Sequence, residues 1–418
     1  MSRELELEIG ERVLGNGLTL LAVRNPGVET YAAGALLDID IKDEASSEEG
    51  LANLVGDMLD EGSKKRDGIK LALAIESLGG VLEGSPSGGS VQCPFEQADK
   101  SLALLFEIVH EPAFPQRELT RVKDEILTEL RSEEDDPRSV AALRFRKLVY
   151  GPHPYARPSK GTRKSLARFK RADLVRFHSS WFVPSGGYVA AAGPEPVEHM
   201  LDQLERAFRR LRGPKVEHVD PAEATLPDGP HDEHFPMERE QVHVFMGHIG
   251  IRRMHPDFYA LVVMDHILGT GPGFTSRISR RLRDEQGLCY SVNAQITGSA
   301  GEEPGMFAAY IGTSQEHRAK AIAGFLHEIE LIRSDPPSAT ELRDVQDYLT
   351  GSFVFGLERN TNLARYAVRS KRFDLGPDYL QRYPGLIRSV TAEDVLRVAR
   401  THLHPDKMIV VSAGAGKR

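Results

Sequence analysis

Two stretches of this 418-residue chain are built to the same plan. ADLVRFHSSWFVPSGGYVAAAG, from Ala172, aligns without a gap on EDVLRVARTHLHPDKMIVVSAG, from Glu393. Asp173 answers to Asp394, Arg176 to Arg397 and Pro184 to Pro405, at a constant offset of 221 residues. Val189, Ala192 and Gly193 answer in the same way to Val410, Ala413 and Gly414. Each copy reads as an amphipathic helix, a proline-marked turn and an apolar strand that ends in glycine. Internal similarity of this kind governs the fold, because each copy must build the same supersecondary unit.

Earlier segments of the two halves also correspond. NGLTLLAVRNP and TYAAGALLDID read as a strand pair, followed by a helix that starts near Ser46. In the second half QVHVFMGHIGI reads as a strand and HPDFYALVVMDHILG as the helix after it. The expected fold is therefore α+β. It has two duplicated domains, 1–212 and 237–418, each a mostly antiparallel sheet covered by helices. Residues 213–236, rich in Pro, Asp and His, read as a polar linker. A tether of that length lets two domains face each other as half of a clamshell. His218, His231 and His234 fall within it at irregular spacing and without cysteine, which marks a solvated segment rather than a metal site.

Composition narrows the classes of function. The chain is 40% hydrophobic and 27% charged, with a net charge of −8, which speaks against a nucleic-acid-binding protein. It has no apolar run long enough to span a membrane. The charged N-terminus MSRELELEIGERVLGNG lacks the apolar core of a signal peptide, so the expected location is the cytoplasm. Cys93 and Cys289 stand alone and read as buried thiols of a reducing compartment.

The segment SSEEGLANLVGDMLDEGSKK, Ser46 to Lys65, reads as a helix with Ser46 and Glu49 as a capping box and Gly62 at its end. Leu51, Leu54, Val55, Met58 and Leu59 form its core face. Asn53, Gly56 and Asp57 share another face at i, i+3 and i+4, the spacing at which H-x-x-E-H-type helices hold zinc. Here the frame persists without the ligands.

GLANLVGDMLDEGS resembles the GLAHxxEHMLxxG segment of the pitrilysin/insulinase-type zinc peptidases, most closely their mitochondrial-processing-peptidase-like subfamily. The likeness extends through LAIESLGGVLEGSPSGGSVQC, KDEILTELRSEEDDP, YGPHPYARPSKGT and GTGPGFTSRISRRLRDEQGLCYSV, nearly the whole chain. It implies that Asn53 and Asp57 stand where two zinc-binding histidines would be. Gly56 stands where a glutamate would activate water, and Glu129 falls at the third ligand position. A catalytic zinc wants three protein ligands and an open position, and Gly56 has no group to take a proton. The expectation is a degenerate motif with no metal in this chain.

The same resemblance implies a functional pair in the second half, Arg283 and Tyr290, which reach substrate across a chamber in the family. A phenolic O–H donates to a developing oxyanion, and a guanidinium grips a carbonyl. Gly269, Gly271 and Gly273 form a glycine-rich turn expected near substrate. They lack the Lys-Ser/Thr of a phosphate loop. The resemblance thus implies the non-zinc subunit of a heterodimeric metallo-endopeptidase. Its partner is a homologous H-x-x-E-H chain that carries the zinc, and its substrate is an extended peptide. An alternative is a catalytically inert structural subunit of a larger complex. A self-sufficient hydrolase has no nucleophile motif behind it.

Overall fold

The repeated apolar strands, Tyr188–Gly193 and Ile409–Ala415, occupy equivalent places in two separate sheets. The computed structural model describes residues 7–272 and 275–416. The first sheet contains β1 (Glu8–Val13), β2 (Thr19–Arg24), β3 (Thr30–Leu36), β4 (Val81–Ser85), β5 (Gly88–Pro94) and β6 (Tyr188–Gly193), in the order β1-β2-β6-β3-β5-β4. The second contains β7 (His231–Met237), β8 (Gln241–Ile249), β9 (Val292–Gln295), β10 (Met306–Ser314) and β11 (Ile409–Ala415), in the order β7-β11-β8-β10-β9. β6 runs parallel to β2 and antiparallel to β3. β11 likewise runs parallel to β7 and antiparallel to β8. The remaining pairings are antiparallel, and helices pack on both sheets, so the fold is α+β with a repeated topology.

One local expectation fails here. β2 and β3 are neighbours in sequence but do not pair, because β6 lies between them. Backbone donors and acceptors on both strands are satisfied by a strand that arrives some 150 residues later in the chain.

The chain forms two compact units, each drawn from three stretches. The first takes residues up to Leu130, Arg157–Asp220 and Val354–Gln381; the second takes Arg131–Ala156, Pro221–Phe353 and the residues from Arg382 onward. The reason lies in strands that are apolar on both faces. In β2, Leu20 and Ala22 join the large core of the first unit, while Leu21 and Val23 point the other way. In β6, Val189 and Ala191 face one core and Ala190 and Ala192 the other. Strand side chains alternate between faces, so a continuous apolar strand needs cover on both sides.

The second cover is the Asn360–Arg372 helix, which sets Leu363, Ala364, Ala367 and Val368 on that face. In the second unit the Pro137–Tyr150 helix does the same for β11, with Ala141, Phe145 and Val149 against Ile409, Val411 and Ala413. Asn360 pins its helix to the sheet. It donates to the Thr30 carbonyl at 2.7 Å and accepts from Asn25 at 2.8 Å, and it is almost fully buried.

The segment between the halves is less solvated than its composition suggests. His218 is held between two carboxylates of the first unit, Asp43 at 2.8 Å and Asp38 at 2.9 Å. Partial burial works against its charge, but the hydrogen bonds and field of Asp43 and Asp38 outweigh it and raise its pKa. His231 and His234 belong to strand β7. The acidic turn that captures His218 lies about 180 residues away in sequence, which hides the pairing from local reading. No helix among the described residues is long and apolar enough to cross a membrane.

Asn360→Ala should remove the hydrogen bonds to the Thr30 carbonyl and the half-buried Asn25 amide and cost about 0.5–1.5 kcal/mol. The check is a lower urea midpoint for the variant than for the wild type.

Candidate functional site

The helix that carries Asn53, Gly56 and Asp57 spans Leu51–Asp57. Its start differs from the expected capping box of Ser46 and Glu49. The N-cap is Gly50, in the left-handed region at φ 88°, and no side chain at that position caps the helix. Instead the buried Glu44 carboxylate accepts from the backbone N–H groups of Gly50 at 3.1 Å and Ala52 at 2.7 Å. A carboxylate at a helix N-terminus meets both unpaired donors and the positive end of the dipole. Burial nevertheless pushes the Glu44 pKa up to about 7. The helix stops at Asp57, short of Gly62, which at φ 138° forms an isolated bridge with Asp67.

Gly56 is enclosed by backbone. A Cβ there would lie 2.5 Å from the Pro86 nitrogen and 2.5 Å from the Ser85 carbonyl carbon, in the turn between β4 and β5. The contact is reciprocal, since a Cβ on Gly84 would lie 2.4 Å from the Gly56 oxygen. The sequence shows that position 56 lacks a side chain, whereas this approach of the β4–β5 turn joins segments some 30 residues apart. Only glycine permits it.

The surrounding polar groups pair with one another. The Asn53 amide donates to Asp57 Oδ2 at 2.7 Å. Glu129, on the Gln116–Asp135 helix, receives the Lys160 ammonium at 2.8 Å. Partial burial, then the Glu129 and Asp60 carboxylates, raise the pKa of Asp57 to about 6, although its side chain reaches solvent. Lys160 and the Asn53 hydrogen bond offset part of that rise. Lys160 is held in place by its loop: a Cβ on Gly50 would lie 2.5 Å from the Lys160 oxygen and 2.5 Å from the Gly161 nitrogen. Neither Lys160 nor Asp60 was singled out from the sequence. Lys160 lies in the quoted YGPHPYARPSKGT motif, but only the fold sets it against Glu129.

This set of groups does not fit a catalytic zinc. Such an ion takes three nitrogen, sulfur or carboxylate ligands and leaves one position open. Here the Asn53 side chain is a neutral amide and is committed to Asp57. A lysine supplies the positive charge beside Glu129, and position 56 has no group to accept a proton from water.

The second unit presents Arg283 and Tyr290. Arg283 lies in the Ser279–Glu285 segment, where the helix is wound wider than an α-helix. The Gln286 N–H donates five residues back to the Arg281 carbonyl at 3.2 Å. Wide turns of this kind re-aim side chains and recur at functional sites. Tyr290 follows just before β9, the edge strand of its sheet, and is 84% exposed. The Arg283 guanidinium sits 5.7 Å from the Tyr290 ring centroid and 3.3 Å from Asp284 Oδ1. The adjacent Cys289 thiol is pushed up to about 11, chiefly by burial, so it stays protonated at neutral pH.

The glycine-rich turn packs closely against its own unit. A Cβ on Gly269 would lie 2.3 Å from the Ala294 oxygen of β9, and one on Gly271 would lie 2.7 Å from the His266 oxygen. Gly269 lets the turn press against β9, the strand that follows Tyr290, and Gly271 lets the turn close on itself. Gly273 lies outside the described residues. Nearby, the buried Asp265 carboxylate accepts from the N–H groups of Ile296 and Thr297, each at 2.9 Å, and so ties the helix to the end of β9.

Residues 24–163 match the family model of insulinase (peptidase family M16), and residues 168–349 match that of the peptidase M16 inactive domain. A Bacillus subtilis protein described as an uncharacterized zinc protease is 24% identical over 400 residues, covering 91% of this chain and 95% of its own length. A Streptomyces coelicolor protein with the same description is 26% identical over 404 residues, covering 93% of this chain and 85% of its own. Among solved structures, a peptidase M16 inactive domain from Pseudomonas fluorescens has a TM-score of 0.89 at 24% identity, covering 99% of this chain and 100% of its own. A protease from Helicobacter pylori has a TM-score of 0.89 at 18% identity, covering 97% and 99%. These two likenesses speak to the fold.

Two outcomes test the geometry around Gly56. Helix propensity alone favours Gly56→Ala by about 0.8–1.0 kcal/mol. The close hairpin predicts the opposite sign, a loss of about 1–3 kcal/mol from overpacking, read from denaturant unfolding. The second outcome concerns Asp57, whose folded-state pKa of about 6 lies above the ordinary carboxylate value. Folding therefore favours its protonated form. That contribution to stability is complete below about pH 4 and is lost as pH rises through 6. The stability of the wild type relative to Asp57→Asn should fall between pH 4 and pH 6, measured by denaturant unfolding at a series of pH values.

Proposed function

Because the chain belongs to peptidase family M16, the insulinase family, we propose that it is the non-zinc subunit of a heterodimeric metallo-endopeptidase of the processing-peptidase-like kind. Its partner is a homologous chain with an intact H-x-x-E-H helix, and the two form a cytoplasmic enzyme. The observation that carries this reading is Tyr290. A tyrosine 84% exposed, with a guanidinium 5.7 Å from its ring, is poised for a ligand rather than for its own core. The degenerate helix of the first unit accounts for the need of a partner, because its Asn53, Gly56 and Asp57 cannot make a nucleophile.

In this reading the partner supplies the metal and activates the water. This chain binds an extended peptide and steadies the reacting carbonyl. As the tetrahedral intermediate forms, negative charge gathers on the former carbonyl oxygen, and the Tyr290 O–H donates to it. One such donor contributes about 2.7–4 kcal/mol where it has been measured. Arg283 grips a neighbouring peptide carbonyl through its fork of N–H groups. The extended substrate pairs by backbone hydrogen bonds with a sheet edge of the partner, which recognises strands with little demand on sequence.

The test is reconstitution with an H-x-x-E-H partner on an unstructured peptide. Zinc-dependent cleavage should require both chains. Tyr290→Phe should lower kcat at least tenfold while the complex, followed by size exclusion, persists. An unchanged rate would assign Arg283 and Tyr290 to structure and favour an inert assembly subunit.

A further inference from the structure

Three side chains of types that ligate metals, none of them used by the proposed function, come together in the second unit. His255 and Asp257 precede the Phe258–Asp265 helix, with Asp257 at its N-cap. His402 closes the Ala392–His402 helix. One ligand atom from each of the three lies within 4.8 Å of the others, and all three residues are partly buried. His402 Nε2 is 2.7 Å from Asp257 Oδ2, and His255 Nδ1 is 4.0 Å from the same oxygen. The two imidazole rings meet edge to face at 4.9 Å. Arg397 binds the other carboxylate oxygen, Asp257 Oδ1, at 2.8 Å. That contact fixes the carboxylate plane and leaves Oδ2 turned toward the imidazoles, as an outer-shell partner does for a metal ligand.

The repeat shows that the packing of these helices does not require this group. At the 221-residue offset, His402 answers to Trp181 in the first half. The first copy of the helix thus ends in an aromatic where the second ends in a ligand.

We propose that His255, Asp257 and His402 bind one divalent transition-metal ion. Two imidazoles and a carboxylate suit zinc, cobalt or nickel and disfavour calcium and magnesium, which prefer all-oxygen sites. The ion takes the place of the hydrogen bond between His402 Nε2 and Asp257 Oδ2; the neutral His402 imidazole then carries its proton on Nδ1 and Asp257 binds as the carboxylate. His255 Nδ1 exchanges the Asp257 backbone N–H that it accepts at 3.1 Å for the metal. Ligand distances of about 2.0–2.2 Å require only side-chain movement from this arrangement. The partly exposed side of the cluster leaves a fourth position for water. The bound ion links the start of one helix to the end of another, so its effect is on the stability of the second unit. This site is independent of the peptidase reading.

The experiment is a Co²⁺ titration of the full chain after chelator treatment, followed by visible absorption and by competition with Zn²⁺. One equivalent of Co²⁺ should give the intense bands of a low-coordinate site, and Zn²⁺ should displace it and raise the melting temperature. His402→Gln and His255→Gln should each weaken binding at least tenfold and abolish the Zn²⁺ shift, whereas Asp57→Asn should leave both unchanged. If His402→Gln melts early without metal, the more exposed His255→Gln carries the test. Absence of a one-equivalent site, or binding that survives both histidine substitutions, overturns the proposal.

Discussion

Two strands with apolar side chains on both faces set the terms for this architecture. β2 and β6 offer Leu20, Ala22, Val189 and Ala191 to one side and Leu21, Val23, Ala190 and Ala192 to the other. Leaving either set in water would forfeit on the order of 25 cal/mol for each Å² of apolar surface. The helices of the first unit's main core cover only one of those faces. The other is covered by the Asn360–Arg372 helix, late in the chain, and the Pro137–Tyr150 helix plays the equivalent part for β11. Each compact unit therefore closes only when distant stretches of sequence come together, and the buried Asn360 marks where that closure is made specific by hydrogen bonds.

The face that carries Asn53, Gly56 and Asp57 is shaped by the same kind of packing. Here Asn53 satisfies Asp57, Lys160 satisfies Glu129, and the β4–β5 turn fills the space a side chain at position 56 would need. Any larger residue at position 56 would have to move backbone. The face is a packed, internally paired surface. The asymmetry with the second unit is chemical as well as positional: there, a phenol and a guanidinium remain in reach of solvent.

Legibility in the sequence followed the range of each interaction. The repeat, the apolar strands and the i, i+3, i+4 spacing of Asn53, Gly56 and Asp57 all lie within short windows, where periodicity of two or 3.6 and motif spacing carry the signal. The pairing of β2 with β6, the capture of His218 by Asp38 and Asp43, and the Glu44 cap each join groups that local patterns do not relate. Glu44 is instructive because Ser46 and Glu49 satisfied the local rule for a cap. A buried carboxylate already aimed at the first N–H groups took the role instead. The wide helical turns around Arg283 have no counterpart in the local sequence pattern, which carries only the periods of two and 3.6.

From its residues alone the chain establishes a duplicated α+β plan, a helix with Asn53, Gly56 and Asp57 on one face, and an Arg–Tyr pair seven residues apart. Those features are local in sequence, and the identity of a side chain is enough to state them. Tertiary structure decided what packs against Gly56, which strands pair, which helices cover them, and that His255, Asp257 and His402 converge. Each of these depends on distances between segments tens to hundreds of residues apart, and such distances exist only once the apolar faces have been buried.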